Sequence, residues 1–320
     1  MSLKSIVDGF AGRRIVVLGD LAVDSYVETR PLRLSREAPV LILRYQRRRY
    51  VPGCAANTVM NLRALGADVV PIGIVGDDEA GQALMEVFRV AGVPTSGLVV
   101  AGTSVVKVRL MSGDPSRPQQ QLVRVDMEPE DGFSEEAMLE LIARAGVAEG
   151  AEGVVVSDYD YGAASPGLLR AVQGAARTAV VSVDSRLRIG DFTADLLTPN
   201  EWEAVQWLGR PIRNAEEAAE TAIQLREKTG SKSVLLTRGN AGMVLVDGDV
   251  HHLPISGSED IVDVSGAGDT VVAAATLSLA AGASYLEAAQ LANYAAGVTV
   301  MKSGAATVSP DELRSVIANG

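Results

Sequence analysis

The stretch Asp263-Val264-Ser265-Gly266-Ala267-Gly268-Asp269-Thr270 sets small residues ahead of an apolar run, Val271-Val272-Ala273-Ala274-Ala275. It reads as a helix start with a carboxylate in its first turn. Unpaired backbone N–H groups at such a start, with the helix dipole behind them, attract anionic oxygens. Gly266, Ala267 and Gly268 let a phosphate reach that backbone without meeting a bulky side chain. Asp269 stands out, because a carboxylate beside a bound phosphate repels it. It suits a base that takes a proton from a hydroxyl attacking phosphorus. A capped helix with an acidic first turn explains the same letters.

Three further groups carry polar chemistry. In Thr198-Pro199-Asn200-Glu201-Trp202-Glu203, Asn200 and Glu203 put oxygen-bearing groups on one face of a helix start. They either hold the water shell of Mg²⁺ or form a capping box. Thr237-Arg238-Gly239-Asn240-Ala241-Gly242 lies between two apolar strands. It is either a hairpin turn or a loop that sets Thr237 and Gly239 against nucleotide phosphates or ribose. Gly19-Asp20, Asp24 and Gly53-Cys54-Ala55-Ala56-Asn57 collect carboxylates and an amide that suit a polyhydroxylated ligand, or are solvated turn residues. No dinucleotide Gly-x-Gly-x-x-Gly and no Walker Gly-Lys-Ser/Thr occurs. His251-His252 lack clustered partners for a metal. Cys54 reads as a small apolar filler, and Arg47-Arg48-Arg49 as a solvated strand face.

Short apolar strands must position these groups. They are expected at 14–20, Val69–Val75, Gly153–Ser157, Ala179–Asp184, Leu196–Thr198, Ser233–Thr237 and Met243–Val246, with helical patterns between most of them. The alternation implies an α/β protein with a mostly parallel sheet covered on both faces. Ligands of such sheets collect beyond the strands' carboxyl ends, where Asp20, Asp158, Asp184, Asn200 and Thr237 fall. Segments 26–51 and 104–126 break the alternation. They predict a small antiparallel sheet acting as a lid on a single 1–320 domain, with an apolar face able to pair with a second copy.

Composition narrows the partners. With 320 residues and 47% hydrophobic content the chain can bury a large core, and a net charge of -11 argues against nucleic acid. One cysteine excludes an internal disulfide and a cysteine-based zinc cluster. Without a signal-peptide core or a run of about 18 apolar residues, a cytoplasmic protein without a membrane partner is expected.

Taken in order, the motifs resemble the ribokinase-like sugar kinases, or phosphofructokinase B family, from Leu18-Gly19-Asp20 to Ala295-Ala296-Gly297. One family signature matches Gly53-Cys54-Ala55-Ala56-Asn57, with Cys54 replacing the second glycine. The other matches residues 263–269. Within the family the chain is most similar to the kinase part of the heptose 7-phosphate kinase/ADP-heptose synthase group. Leu34-Ser35-Arg36-Glu37-Ala38-Pro39-Val40, Gln120-Gln121-Leu122-Val123-Arg124-Val125-Asp126, Ser157-Asp158-Tyr159, Leu197-Thr198-Pro199-Asn200 and Thr307-Val308-Ser309-Pro310 carry that match. Tyr161 departs from an expected lysine, and Asp184-Ser185-Arg186 from an expected Asp-Pro-Lys. No nucleotidyltransferase half follows, so kinase activity alone is expected.

The resemblance implies a ribokinase-like three-layer sandwich with a β-sheet lid. It implies ATP-dependent phosphorylation of a sugar hydroxyl, on a heptose 7-phosphate or related sugar. A kinase for another sugar or a nucleoside is an alternative, as is a non-catalytic sugar or nucleotide sensor. Asp269 is the implied base, with the Gly266, Ala267 and Gly268 amides on the transferred group. Asn200, Thr237, Gly239 and Gly242 fall on ATP, Asn293 at the adenine, and Glu203 on a water of Mg²⁺. Asp20, Asp24, Gly53, Asn57, Arg124 and Asp184 fall on the sugar, and a monovalent cation, K⁺, near Asp263 and Val264. A homodimer through the lid sheet completes the expectation.

Overall fold

The computed structural model describes residues 2–113, 119–129, 132–257 and 261–319. The turn expected around Ser112–Pro118 lies outside these residues from 114 onward. The strands are β1 Arg14–Gly19, β2 Leu21–Leu34, β3 Leu41–Cys54, β4 Asp68–Val75, β5 Leu98–Val100, β6 Val105–Ser112, β7 Gln120–Met127, β8 Gly153–Asp158, β9 Val180–Ser185, β10 Leu196–Leu197, β11 Ser233–Thr237, β12 Met243–Val246 and β13 Val250–Leu253.

Nine strands form the body sheet in the order β13-β12-β11-β10-β9-β8-β1-β4-β5. Pairing is parallel from β11 to β5, and β12 and β13 add an antiparallel edge. Side chains alternate across a strand. In β1, Ile15 and Val17 therefore join the core shared with helices Ala55–Ala64, Ala267–Ala280 and Tyr285–Thr299. Val16 and Leu18 join the opposite core with helices Glu135–Ala143, Pro166–Ala175 and Ala215–Thr229. Burial on both faces makes these strands read as unbroken apolar runs. This is a ribokinase-like α/β fold.

The second sheet has the order β3-β2-β6-β7. Its hairpins, β2 with β3 and β6 with β7, are antiparallel, but β2 and β6 run parallel, so the lid is mixed rather than antiparallel as expected. Between them the chain passes through the body as β4, helix Glu79–Ala91 and β5, and such a crossover can return in the same direction. Strand β2 also starts earlier than the expected 26–51 segment: only Asp20 separates β1 from β2. The pairing register puts Asp24, Tyr26, Glu28, Arg47, Arg49, Lys107, Arg109 and Arg124 on one face. On the other face, Val23 and Val106 join the body core, while Val123, Val125 and Met127 remain 51–56% exposed. Among the described residues no helix is long and apolar enough to cross a membrane.

Candidate active site

Helix Ala267–Ala280 starts from Gly266, whose φ is +78°. A Cβ there would also meet Asn57 Nδ2 at 2.3 Å, so backbone conformation and space both demand glycine. In front of Gly268 nothing lies within 4 Å of a built Cβ. Within this helix's first turn, Asp269 is only 4% exposed. Its Oδ2 accepts from Asn57 Nδ2 at 2.8 Å, and its Oδ1 from Thr58 Oγ1 at 3.0 Å and Tyr159 Oη at 2.9 Å. Burial raises the Asp269 pKa, and the three donors oppose that rise. Behind them, Thr270 Oγ1 donates to Asn61 Oδ1 at 3.0 Å, and Asn61 Nδ2 to the Asn57 carbonyl at 3.0 Å. Helix Ala55–Ala64 thus aims the carboxylate. Sequence reasoning missed Thr58, Asn61 and Tyr159. The readable signal was three polar residues, Asn57, Thr58 and Asn61, on the buried side of one helix.

Thr237, Gly239, Gly242 and Asn293 line one cavity of about 180 Å³ together with Val264, Ala267 and Gly268. The turn between β11 and β12 is therefore both a hairpin and a cavity wall. Gly242 has φ +82°, and a Cβ would strike the Leu253 carbonyl at 2.1 Å. Asn293 Nδ2 donates to the Pro254 carbonyl at 2.7 Å. Asn200 and Glu203 form a reciprocal capping box, with bonds of 2.9 and 2.8 Å. Burial pushes the Glu203 carboxyl up to about 7, with Asp269 adding to the rise. Asp184, with Thr198 Oγ1 3.4 Å from its Oδ1, is raised by burial and then by Glu203 and Asp269. Among the described residues no group of three or more His, Cys, Asp or Glu could hold a metal ion directly. Mutually repelling carboxyls that do not converge fit a hydrated Mg²⁺, which keeps several of its waters.

At the opposite end, several residues expected on the sugar have other tasks. Asp20 is fully buried and accepts from the backbone N–H groups of Tyr159, Tyr161 and Ala163 at 2.8, 3.0 and 2.8 Å. It fastens the loop after β8. Asn57 spends its amide on Asp269. Asp24 Oδ1 accepts from Arg109 Nη2 at 2.8 Å, and a Cβ on the adjacent Gly53 would come within 3.2 Å of Asp24 Oδ2. Arg124 pairs with Asp126 at 2.8 Å. Near the expected K⁺ position, Asp263 accepts from Ser265 N and Gly304 N at 2.9 and 3.0 Å, and the Val264 carbonyl from Ala267 N at 3.2 Å. Both Asp263 oxygens and that carbonyl are therefore engaged within the protein.

The departures from the family text also have structural partners. Cys54 adopts φ +53°, a conformation that favours the glycine it replaces, and burial pushes its thiol up to about 12. Tyr161 Oη donates to Glu128 Oε1 at 3.1 Å. Ser185 Oγ and Arg188 Nη2 each donate to buried Asp158 at 2.6 Å.

The profile described as pfkB family carbohydrate kinase matches residues 13–160 and 175–312. Bifunctional protein HldE of Halorhodospira halophila is 41% identical over 98% of this chain, which spans 65% of that protein's length. Phosphofructokinase-2 from Escherichia coli in complex with substrates and products shares the fold at a TM-score of 0.76 and 20% identity, covering 96% of this chain and 99% of that one. Arabidopsis thaliana ribokinase complexed with ribose and ATP does so at 0.69 and 20%, with the same coverage. With the family match running through both halves of the cleft, this chain belongs to the pfkB family of carbohydrate kinases and is a sugar phosphotransferase.

Proposed function

We propose that the enzyme transfers the terminal phosphoryl group of ATP to a hydroxyl of a heptose 7-phosphate or a closely related sugar phosphate. The observation that carries this reading is Asp269, aimed by three donors at a helix start whose neighbour Gly268 faces open space. Oδ1 already has two donors and Oδ2 only one, so Oδ2 receives the proton of the sugar hydroxyl. The backbone N–H of Gly268 faces the charge that develops on the transferred group, while the Ala267 N–H, expected to share that task, is given to the Val264 carbonyl.

Adenine enters the cavity beside Asn293, and the phosphates run past Thr237, Gly239, Gly242 and Asn200 toward Gly268. Asp184 and Glu203 are the residues to hold hydrated Mg²⁺, which supplies neutralising charge to the phosphates when bound. Asp24 and Gly53 contact sugar hydroxyls. Arg49, Arg109 and Arg124 share the lid's cleft face, and their forked donors favour a phosphorylated over a free sugar. The exposed Val123, Val125 and Met127 give a second copy an apolar surface for a lid-to-lid homodimer. We place the enzyme in the cytoplasm, with its ATP.

An ADP-release screen over free and phosphorylated heptoses, hexoses, pentoses and nucleosides tests the reading. Fastest release with a heptose 7-phosphate is expected. Release with free sugars or nucleosides alone overturns the substrate class, and binding without release anywhere favours a sensor.

A further inference from the structure

The loop that Asp20 pins behind β8 carries two tyrosines with different destinations. Tyr159 Oη donates to Asp269 Oδ1 at 2.9 Å, and Tyr161 Oη to Glu128 Oε1 at 3.1 Å, just past lid strand β7. Lys107, from lid strand β6, sits against both. Its Nζ lies 5.2 Å from the Tyr159 ring centroid, 5.6 Å from that of Tyr161 and 3.0 Å from Cys54 Sγ. Among the described residues no carboxylate lies within ion-pair distance of this ammonium, although Asp24 is directly opposite it in the β2–β6 register. Two π faces and a thiol are its near neighbours. An ammonium on a Tyr face is attracted by the ring quadrupole and fixes the ring's plane.

The consequence is a physical line from lid to base: Lys107 on the Tyr159 ring, and the Tyr159 hydroxyl on Asp269. We propose that Lys107 and Tyr159 are a positioning pair for phosphoryl transfer. Lys107, seated from the lid, holds the Tyr159 ring so that its hydroxyl fixes Oδ1 of Asp269 and leaves Oδ2 turned to the sugar. Val106, next to Lys107, belongs to the body core, so the pair is set at the root of the lid sheet. The base is therefore aimed by a contact made where the lid sheet joins the body. The Tyr161–Glu128 bond ties the same loop to the lid a second time. This inference rests on Asp269 being the base.

A double-mutant cycle tests it, using ATP and the sugar that gives the fastest ADP release in the screen. Tyr159→Phe removes one oxygen and keeps the ring, and Lys107→Met removes the charge and keeps the stem. Each is expected to lower kcat roughly 10- to 30-fold, the cost of one charge-assisted hydrogen bond, with the KM for ATP within about 2-fold. The double variant is expected to lose about as much as either single variant, because both act on one hydrogen bond. Lys107→Arg restores most of the rate, since a guanidinium also stacks on the ring.

Losses that multiply, a Tyr159→Phe enzyme at full kcat, or losses confined to the sugar KM overturn the pair. Asp269→Asn, run alongside, tells the two failures apart. If it keeps turnover, the base assignment itself falls. If it is inactive while the other losses multiply, only the coupling to the lid falls.

Discussion

The two sheets meet at one cleft and bury their strands in opposite ways. Strand β1 of the body is covered on both faces, and Ile15, Val16, Val17 and Leu18 are fully buried. Strand β7 of the lid is exposed along its whole length. A strand covered on both sides has no room for chemistry except at its end. The body therefore offers backbone N–H groups, glycines and short carboxylates at fixed points. The lid has a free face, and its chemistry comes from long arginine side chains. The phosphoryl end of the cleft is built by position, and the sugar end by reach.

Asp269→Asn is the most severe way to probe the body's half. The amide keeps the size of the carboxylate but cannot serve as the base. Turnover is expected to fall roughly 10²- to 10⁴-fold while ATP affinity stays near that of the parent enzyme. Steady-state ADP release and calorimetric ATP titration read the two numbers. Near-parental turnover would remove the base role.

Arg124→Ala probes the lid's half and should do the reverse. Arg124 is exposed and its pairing with Asp126 is a surface one, so the melting temperature should not move. The KM for the sugar phosphate is expected to rise roughly 10-fold with kcat nearly unchanged, because the contact is to a part of the substrate that does not react. A fall in kcat at constant KM would move the sugar's phosphate away from the lid and blur the division between the two sheets.

The same division explains what could be read in advance. The body strands were legible because burial on both faces writes itself as apolar runs, and the helix start at Asp263–Asp269 because its letters are local. The direction of β6 was not legible, since it depends on a crossover through the body. Nor was the company of Asp269: Asn57 lies 212 positions away and Tyr159 lies 110 away. Asp20 misled for the opposite reason. A carboxylate past a strand end suits a ligand, and only the fold shows three backbone N–H groups already spending it.

Glu203→Gln brings the smallest expected effect and the sharpest contrast between the halves. Burial lifts this carboxyl from its ordinary value of 4.5 to about 7. A carboxyl raised on folding gives its full stabilisation below its unfolded pKa and loses it as pH climbs from about 4.5 through about 7. Above that range an ionised Glu203 stands against Asp184 and Asp269. Glutamine removes the charge, and its carbonyl can still accept from Asn200 N, so the helix cap survives. The melting temperature of the ligand-free variant should therefore exceed the parent's by about 2 °C near pH 8, and the gap should close toward about pH 4.5. Turnover with Mg²⁺ and ATP should fall, as expected where a site stores repulsion that its ligand relieves. No such trade is expected of Arg124, whose charge is paired with Asp126 at the surface. A Gln variant that melts below the parent near pH 8 would show that the lost charge–cap interaction outweighs the relieved repulsion.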